Sequence, residues 1–180
     1  MIGTGTPREL DAVPAIAVIV DDLAFFEGEA IARPVTAMLG ATTPLLRRLE
    51  LAAGEALAGQ LRIGEPLAVG SAVVTGAGAL GVDLLVHAVI SSDSEQVTAG
   101  SVRRATLSAL QRAADWRIAR LAFAPFGLGA GNLDPDESAT AMASAIGEHV
   151  ARAAMPKEIT IVVENEDERR AFAARLDRPA

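Results

Sequence analysis

The stretch Phe126–Leu133 reads FGLGAGNL. The apolar run Ile118–Ala124 precedes it, and the helix opener Asp134-Pro135-Asp136-Glu137 follows. A glycine-rich loop at the carboxyl end of a strand lies where open α/β sheets bind ligands. Gly127 and Gly129 carry no Cβ, so their amides can line a concavity and approach an anionic oxygen. The helix that follows adds positive potential at its N-terminus. These features suit a phosphate, although such loops also serve as tight turns. A P-loop NTPase is excluded: there is no G-x-x-x-x-G-K-[ST] pattern and the sole lysine is Lys157. The G-x-G-x-x-G order is missing as well.

Other chemistry is narrowly bounded. The chain has no cysteine, which removes disulfides, thiolate metal sites and cysteine nucleophiles together. Two histidines are too few for a His-rich zinc site. No cofactor is expected. His87 ends an apolar strand and reads as a satisfied structural histidine, and His149 as a solvated residue near a helix C-terminus. Trp116 plugs a helix end, and Phe25-Phe26 packs under the sheet. Arg33, Arg47 and Arg48 read as surface charge, and Glu164–Arg170 as an acidic turn entering a helix. The net charge of −7 and a pI near 4.8 argue against nucleic acid as a partner, because phosphate-backbone binding needs clustered Lys/Arg.

The elements that must position these residues are short. Ala15–Val20 is a buried strand ended by Asp21-Asp22, and Ala30–Ala32 is a second apolar piece. Thr43 caps a helix with Pro44 at its first position and Gly59 at its end. Strands Ser71–Thr75 and Leu84–Ile90 flank a glycine-rich turn. A helix over about 96–114 precedes the strand Ile118–Ala124. Asp134 and Glu137 have capping-box spacing for the next helix. Strand Ile159–Val163 and a helix opened by Asn165 close the chain. Alternating strands and amphipathic helices imply an α/β sandwich with a largely buried sheet. Alanine supplies 37 of the 180 residues against six aromatics, so the layers must approach closely.

The 180 residues suit one domain, expected over 14–180 after a loose leader at 1–13. Leu67–Ile90 is long enough to span a membrane but carries Asp83, His87 and a run of glycines. An aspartate within a span costs about 2.5–3.5 kcal/mol, so two strands are expected there instead. Met1–Asp11 has no apolar secretory core. A cytoplasmic protein without membrane association is expected.

The order of these segments resembles the macro domain, an ADP-ribose-binding module, which implies a three-layer α/β/α sandwich around a mixed, largely buried central sheet. Asp21-Asp22-Leu23-Ala24 followed by Glu29-Ala30-Ile31-Ala32-Arg33 is similar to that family's G-D-I-T and D-A-I-V-N. Ala52-Ala53-Gly54 matches the A-A-G that ends the family's first main helix. Gly70, Ala72, Thr75, Leu80 and Val86-His87 match its G-x-A-x-x-T…L…V-I-H block. Ala122–Leu133 resembles A-F-P-x-x-G-T-G-x-G-G-L. The resemblance covers about residues 14–176. It implies that Asp22 accepts a hydrogen bond from an adenine amino group and that Leu23 offers its amide nearby. It makes Phe126, Gly127, Leu128, Gly129, Ala130 and Gly131 the second phosphate loop. The first phosphate loop falls at Thr42-Thr43-Pro44-Leu45, with Thr43 and Leu45 as ligand contacts. The departures are equally plain. N-A-A-N is replaced by Arg33-Pro34-Val35-Thr36, Pro44 has no amide hydrogen, and the adenine-stacking aromatic falls at Glu164.

Three functions follow from this resemblance. The leading one is a module that binds ADP-ribose or a related adenine nucleotide without catalysis. A second is a macro-like scaffold that has lost its ligand and acts by oligomerisation or partner binding. The third is an ADP-ribosyl or O-acetyl-ADP-ribose hydrolase in which Asp83, Thr36 or Thr43 replaces the missing asparagine.

Overall fold

The computed structural model describes residues 13–129 and 132–177. Apart from Val13, the expected leader lies outside these residues, as do Ala130 and Gly131. Strands β1 (Ala15–Val20), β2 (Ala30–Thr36), β3 (Ala72–Gly76), β4 (Leu84–Ser91), β5 (Arg120–Phe123) and β6 (Glu158–Val163) form one sheet in the order β1-β6-β5-β2-β4-β3. All neighbours run parallel except β3, which pairs antiparallel with β4. The carboxyl ends of β1, β6, β5, β2 and β4 therefore share one edge of the sheet.

The period-2 alternation of each strand sorts its side chains between two layers. Ala30, Ala32, Val86, Ala88, Leu121, Phe123, Ile159 and Ile161 face α3 (Ala99–Asp115), α4 (Pro135–Val150) and α5 (Glu166–Leu176). Ile31, Leu85, Ala122 and Val162 face α1 (Pro44–Ala53) and α2 (Glu55–Gln60). Ala105, Ala109, Ala113 and Ala139 are fully buried, which gives the alanine-rich composition its role in close helix-to-sheet packing. The three-layer sandwich with a mixed sheet is thus the observed fold. Leu67–Ile90 carries two strands, and no helix among the described residues is long and apolar enough to cross a membrane.

Local signals set most boundaries. Thr43 accepts from the Leu46 amide at 3.2 Å, with Pro44 at the first helical position. Asp134 and Glu137 form the reciprocal capping box expected of them, and Asn165 caps α5. Three expectations change. Ala15–Val20, expected to be a buried strand, is the edge strand β1 and has no residue in the buried class, because only β6 covers it in the sheet. The single helix expected from Pro44 to Gly59 breaks at Gly54, whose φ of +83° ends α1 and starts α2. The second strand continues through Arg33-Pro34 to Thr36. Pro34 is tolerated for a geometric reason. The Ala32 carbonyl accepts from Ala124, so Ala32 and, two residues on, Pro34 turn their backbone toward β5. The pairing with β5 has ended at Phe123, and the missing amide costs no ladder bond.

Candidate functional site

The parallel strands bring the sequence-predicted residues to one edge. β2 leads to α1 on one face of the sheet, while its neighbour β5 leads to α4 on the other. Adjacent parallel strands whose helices leave toward opposite faces open a crevice at their carboxyl ends, the usual ligand position in such sheets. The Thr36–Thr43 connection and the loop after Phe123 form the two sides of that crevice. They come close to one another: a Cβ built on Gly129 would lie 3.3 Å from Thr43 Cγ2.

The second loop is anchored at its base and open toward its tip. Phe126 is buried against Phe123, with ring centroids 5.6 Å apart. Its amide donates to the Met142 thioether and its carbonyl accepts from the Ser138 hydroxyl at 2.6 Å. Gly127 adopts φ +82°, and a Cβ there would meet Val102 Cγ2 at 2.8 Å, so close packing and backbone conformation both require glycine. Gly129, exposed at φ +87°, turns the chain back; its carbonyl accepts from Asn132, and that of Gly127 from Leu133. Among the described residues, the amides of Gly127, Leu128 and Gly129 donate to no backbone oxygen.

At the end of β1, the Asp22 carboxylate accepts from the Ala24 amide at 2.9 Å and caps a 3-10 turn over Leu23–Phe25. Asp22, Leu23, Leu45 and Arg48 line a cavity of about 180 Å³ between this turn and α1. Arg48 makes no ion pair among the described residues. On the far side of the β2–α1 connection, Thr36, Met38 and the segment Ser91–Glu95 line a hollow of about 660 Å³. Asp22, Leu23, Thr43 and Leu45 thus gather around the start of α1, with Gly129 against Thr43.

Beneath that connection lies a charged row that the sequence reading misplaced. Arg33 is not surface charge; its side chain is fully buried. Its Nε donates to His87 Nδ1 at 2.9 Å, its Nη1 to Glu50 Oε1 at 2.6 Å, and its Nη2 to the Leu39 carbonyl at 3.4 Å. An arginine Nε always donates, so His87 Nδ1 carries no proton. The ring proton is on Nε2, 2.7 Å from Thr75 Oγ1, and Thr75 donates onward to the Gly76 carbonyl. Burial first, and the Arg33 charge second, push the His87 pKa down to about 3. His87 is the satisfied structural histidine expected. The signal for Arg33 was available: a lone charge inside the apolar run AIARPV, in register with His87 of β4.

The family model described as Macro domain matches residues 47–142, more than half of the chain. The chain belongs to the macro domain family. No curated protein matches it significantly by sequence. Among solved structures, a variant of the Oceanobacillus iheyensis macrodomain with ADPR is similar in fold. It has a TM-score of 0.81 and 16% identity, over 93% of this chain and 94% of that one. The Trypanosoma brucei macrodomain in complex with ADP-ribose has a TM-score of 0.78 and 14% identity, over 88% of this chain and 68% of that one.

Several residues singled out in this macro domain sit elsewhere than expected. Phe25 does not pack under the sheet but is 78% exposed. His149 is not solvated: it is buried, and its Nε2 lies 2.8 Å from the Met155 carbonyl. Asp83 precedes β4 at the opposite edge of the sheet, remote from the crevice. Thr36 and Thr43 are at the crevice, but their hydroxyls hold the Gly40 and Leu46 amides. Glu164, where an aromatic was expected from the family pattern, ties its amide to Glu168 in the first turn of α5.

Proposed function

We propose that this macro domain binds ADP-ribose or a related adenine nucleotide along the carboxyl edge of its sheet and does not turn it over. The adenine end lies at Asp22 and Leu23, and the diphosphate lies between Thr43–Leu45 and the Phe126–Gly131 loop. The observation that carries this reading is the set of loop amides at Gly127, Leu128 and Gly129, which have no backbone acceptor among the described residues, on a loop whose Gly129 lies near Thr43 at the start of α1. Backbone amides bind phosphate oxygens whatever the side chains, so this half of a site survives sequence drift. The Leu45 amide, in the first turn of α1, adds a donor of the same kind. Phe126 serves from below by anchoring the loop. Ala130 and Gly131 complete the loop in this proposal. The absence of turnover rests on the engagement of Thr36 and Thr43 in local bonds and on the position of Asp83 at the wrong edge.

The test is calorimetric titration with ADP-ribose, with AMP and ADP as comparisons. Binding of ADP-ribose tighter than about 100 μM, roughly −5.5 kcal/mol, is expected, together with no release of ADP-ribose from a modified test protein. A flat titration of folded protein at millimolar nucleotide refutes the reading.

One observation favours self-association as a second reading. The edge strand β1 reads AIAVIV, and Ile19 and Val20 are 37% and 46% exposed. It carries none of the charges or prolines that usually protect a sheet edge. A concentration-independent monomer mass in solution would remove this reading.

A further inference from the structure

We propose that Arg33 is a positioning residue of the nucleotide site. Its buried guanidinium holds the β2–α1 connection in the one conformation that sets Thr43 and Leu45 opposite the glycine-rich loop. This rests on the nucleotide-binding reading above and names the device that shapes one wall of that site.

A fully buried guanidinium is tolerated only when its donors are paired. The three partners of Arg33 belong to three different pieces of the fold: His87 on β4, Glu50 on α1, and the Leu39 carbonyl in the connection between β2 and α1. Glu50 in turn receives Arg47 on its other oxygen, so the start of α1 is tied to the sheet through one carboxylate. The connection itself is a tight knot. The Leu39 amide donates to the Thr36 carbonyl at 2.8 Å, the Gly40 amide to Thr36 Oγ1 at 3.1 Å, and the Thr36 amide to the Gly40 carbonyl at 3.0 Å. Val35 and Ala41 close it with an antiparallel bridge.

At the centre of the knot, Leu39 has φ +64°. A branched L residue rarely adopts that conformation, and it persists only where its surroundings over-determine it. Two features do so here. Its side chain is buried at 3% exposure beside Val35 and Val89, and its carbonyl accepts from Arg33. A methionine at position 33 would fill much of the same space but could not aim the Leu39 carbonyl. The guanidinium fork contributes direction, since its donors are fixed in one plane. Two residues beyond the knot, Thr42 leads into Thr43, which caps α1 and lies near Gly129. A shift of Leu39 is therefore passed to the wall that faces the phosphate loop.

The test uses Arg33→Met and Arg33→Lys in the full chain, with Glu50→Gln as a milder variant should either fail to fold. Amide hydrogen exchange is followed by NMR on unliganded protein. Leu39 and Gly40 are compared with Val86 and Ala88 in β4. Exchange at Leu39 and Gly40 is expected to rise at least tenfold more than at Val86 and Ala88. Lysine is expected to fail alongside methionine, because its three donors leave one atom and cannot reach partners that Arg33 meets from three separate nitrogens of a planar fork. In calorimetry, affinity for ADP-ribose is expected to fall at least tenfold while affinity for AMP falls less than threefold. A merely structural role would raise exchange at all four amides in parallel and leave the ratio of the two affinities unchanged. Either result overturns the proposal. A wild-type protein that binds neither nucleotide sinks the proposed function, and the exchange measurement then decides by itself whether Arg33 holds the loop.

Discussion

His87 couples the stability of this macro domain to pH. In the unfolded chain its imidazole takes up a proton near the ordinary value of 6.5; in the folded protein it does so only near about 3. Protonation in place would put a hydrogen on Nδ1, where Arg33 already donates, and would set two buried cations side by side. Between these two pKa values the unfolded chain binds one more proton than the folded one, so stability rises with pH there. The contribution is fully present above pH 6.5 and is lost as pH falls toward 3. At about 1.4 kcal/mol per pH unit, the loss between pH 7 and pH 4 is about 3 kcal/mol. The comparison is wild type against His87→Gln, whose amide can accept from Arg33 and donate to Thr75 but does not titrate. Urea unfolding at pH 7 and pH 4 gives the free energies. Carboxylates lose charge equally in both proteins and cancel in the difference. Wild type should lose about 3 kcal/mol more than the variant over this range. If both proteins lose the same amount to within about 1 kcal/mol, the buried neutral imidazole is refuted, because that coupling is a full proton.

Further outcomes follow from single residues. Glu50→Ala leaves Arg33 buried without its carboxylate and should cost about 3–5 kcal/mol in urea unfolding, whereas a surface pair would cost under about 1 kcal/mol. Arg117 has φ +54° just beyond α3, is exposed, and makes no ion pair among the described residues. Arg117→Gly should therefore stabilise by about 0.5–1 kcal/mol, seen as a melting temperature raised by about 1–4 °C. Gly129→Val places a branched side chain at φ +87° against Thr43; it should abolish ADP-ribose binding in calorimetry while circular dichroism at 20–25 °C is unchanged. Asp134→Ala removes the cap that donates order to the first turn of α4 and should cost about 1 kcal/mol in the same unfolding assay.

The layout of this domain was legible in the sequence because its signals are local. Asp134-Pro135 with Glu137, Thr43-Pro44 and Asn165 announce helix starts through bonds made within three residues, and each is found as a cap. Apolar runs announce strands at Ala15–Val20 and Ile159–Val163, but only β6 is the inner, largely buried parallel strand that such a run implies; β1 lies at the sheet edge and is largely exposed. The glycines at 127 and 129 marked the turn between β5 and α4 from their position between strand and helix alone, and both take positive φ there. What tertiary structure decided was everything that depends on partners distant in the chain. The exposure of Phe25 depends on how the turn after β1 settles on the sheet. Asp83 was eligible by type and falls at the wrong edge, because strand direction is not written in its neighbours. Arg33 is the sharpest case. In sequence it is a charge followed by proline; in the fold it is buried because His87, 54 residues away, and Glu50, 17 residues away, arrive to accept its donors. A single sequence records the residue types that can satisfy a buried charge, but only packing determines which of them meet.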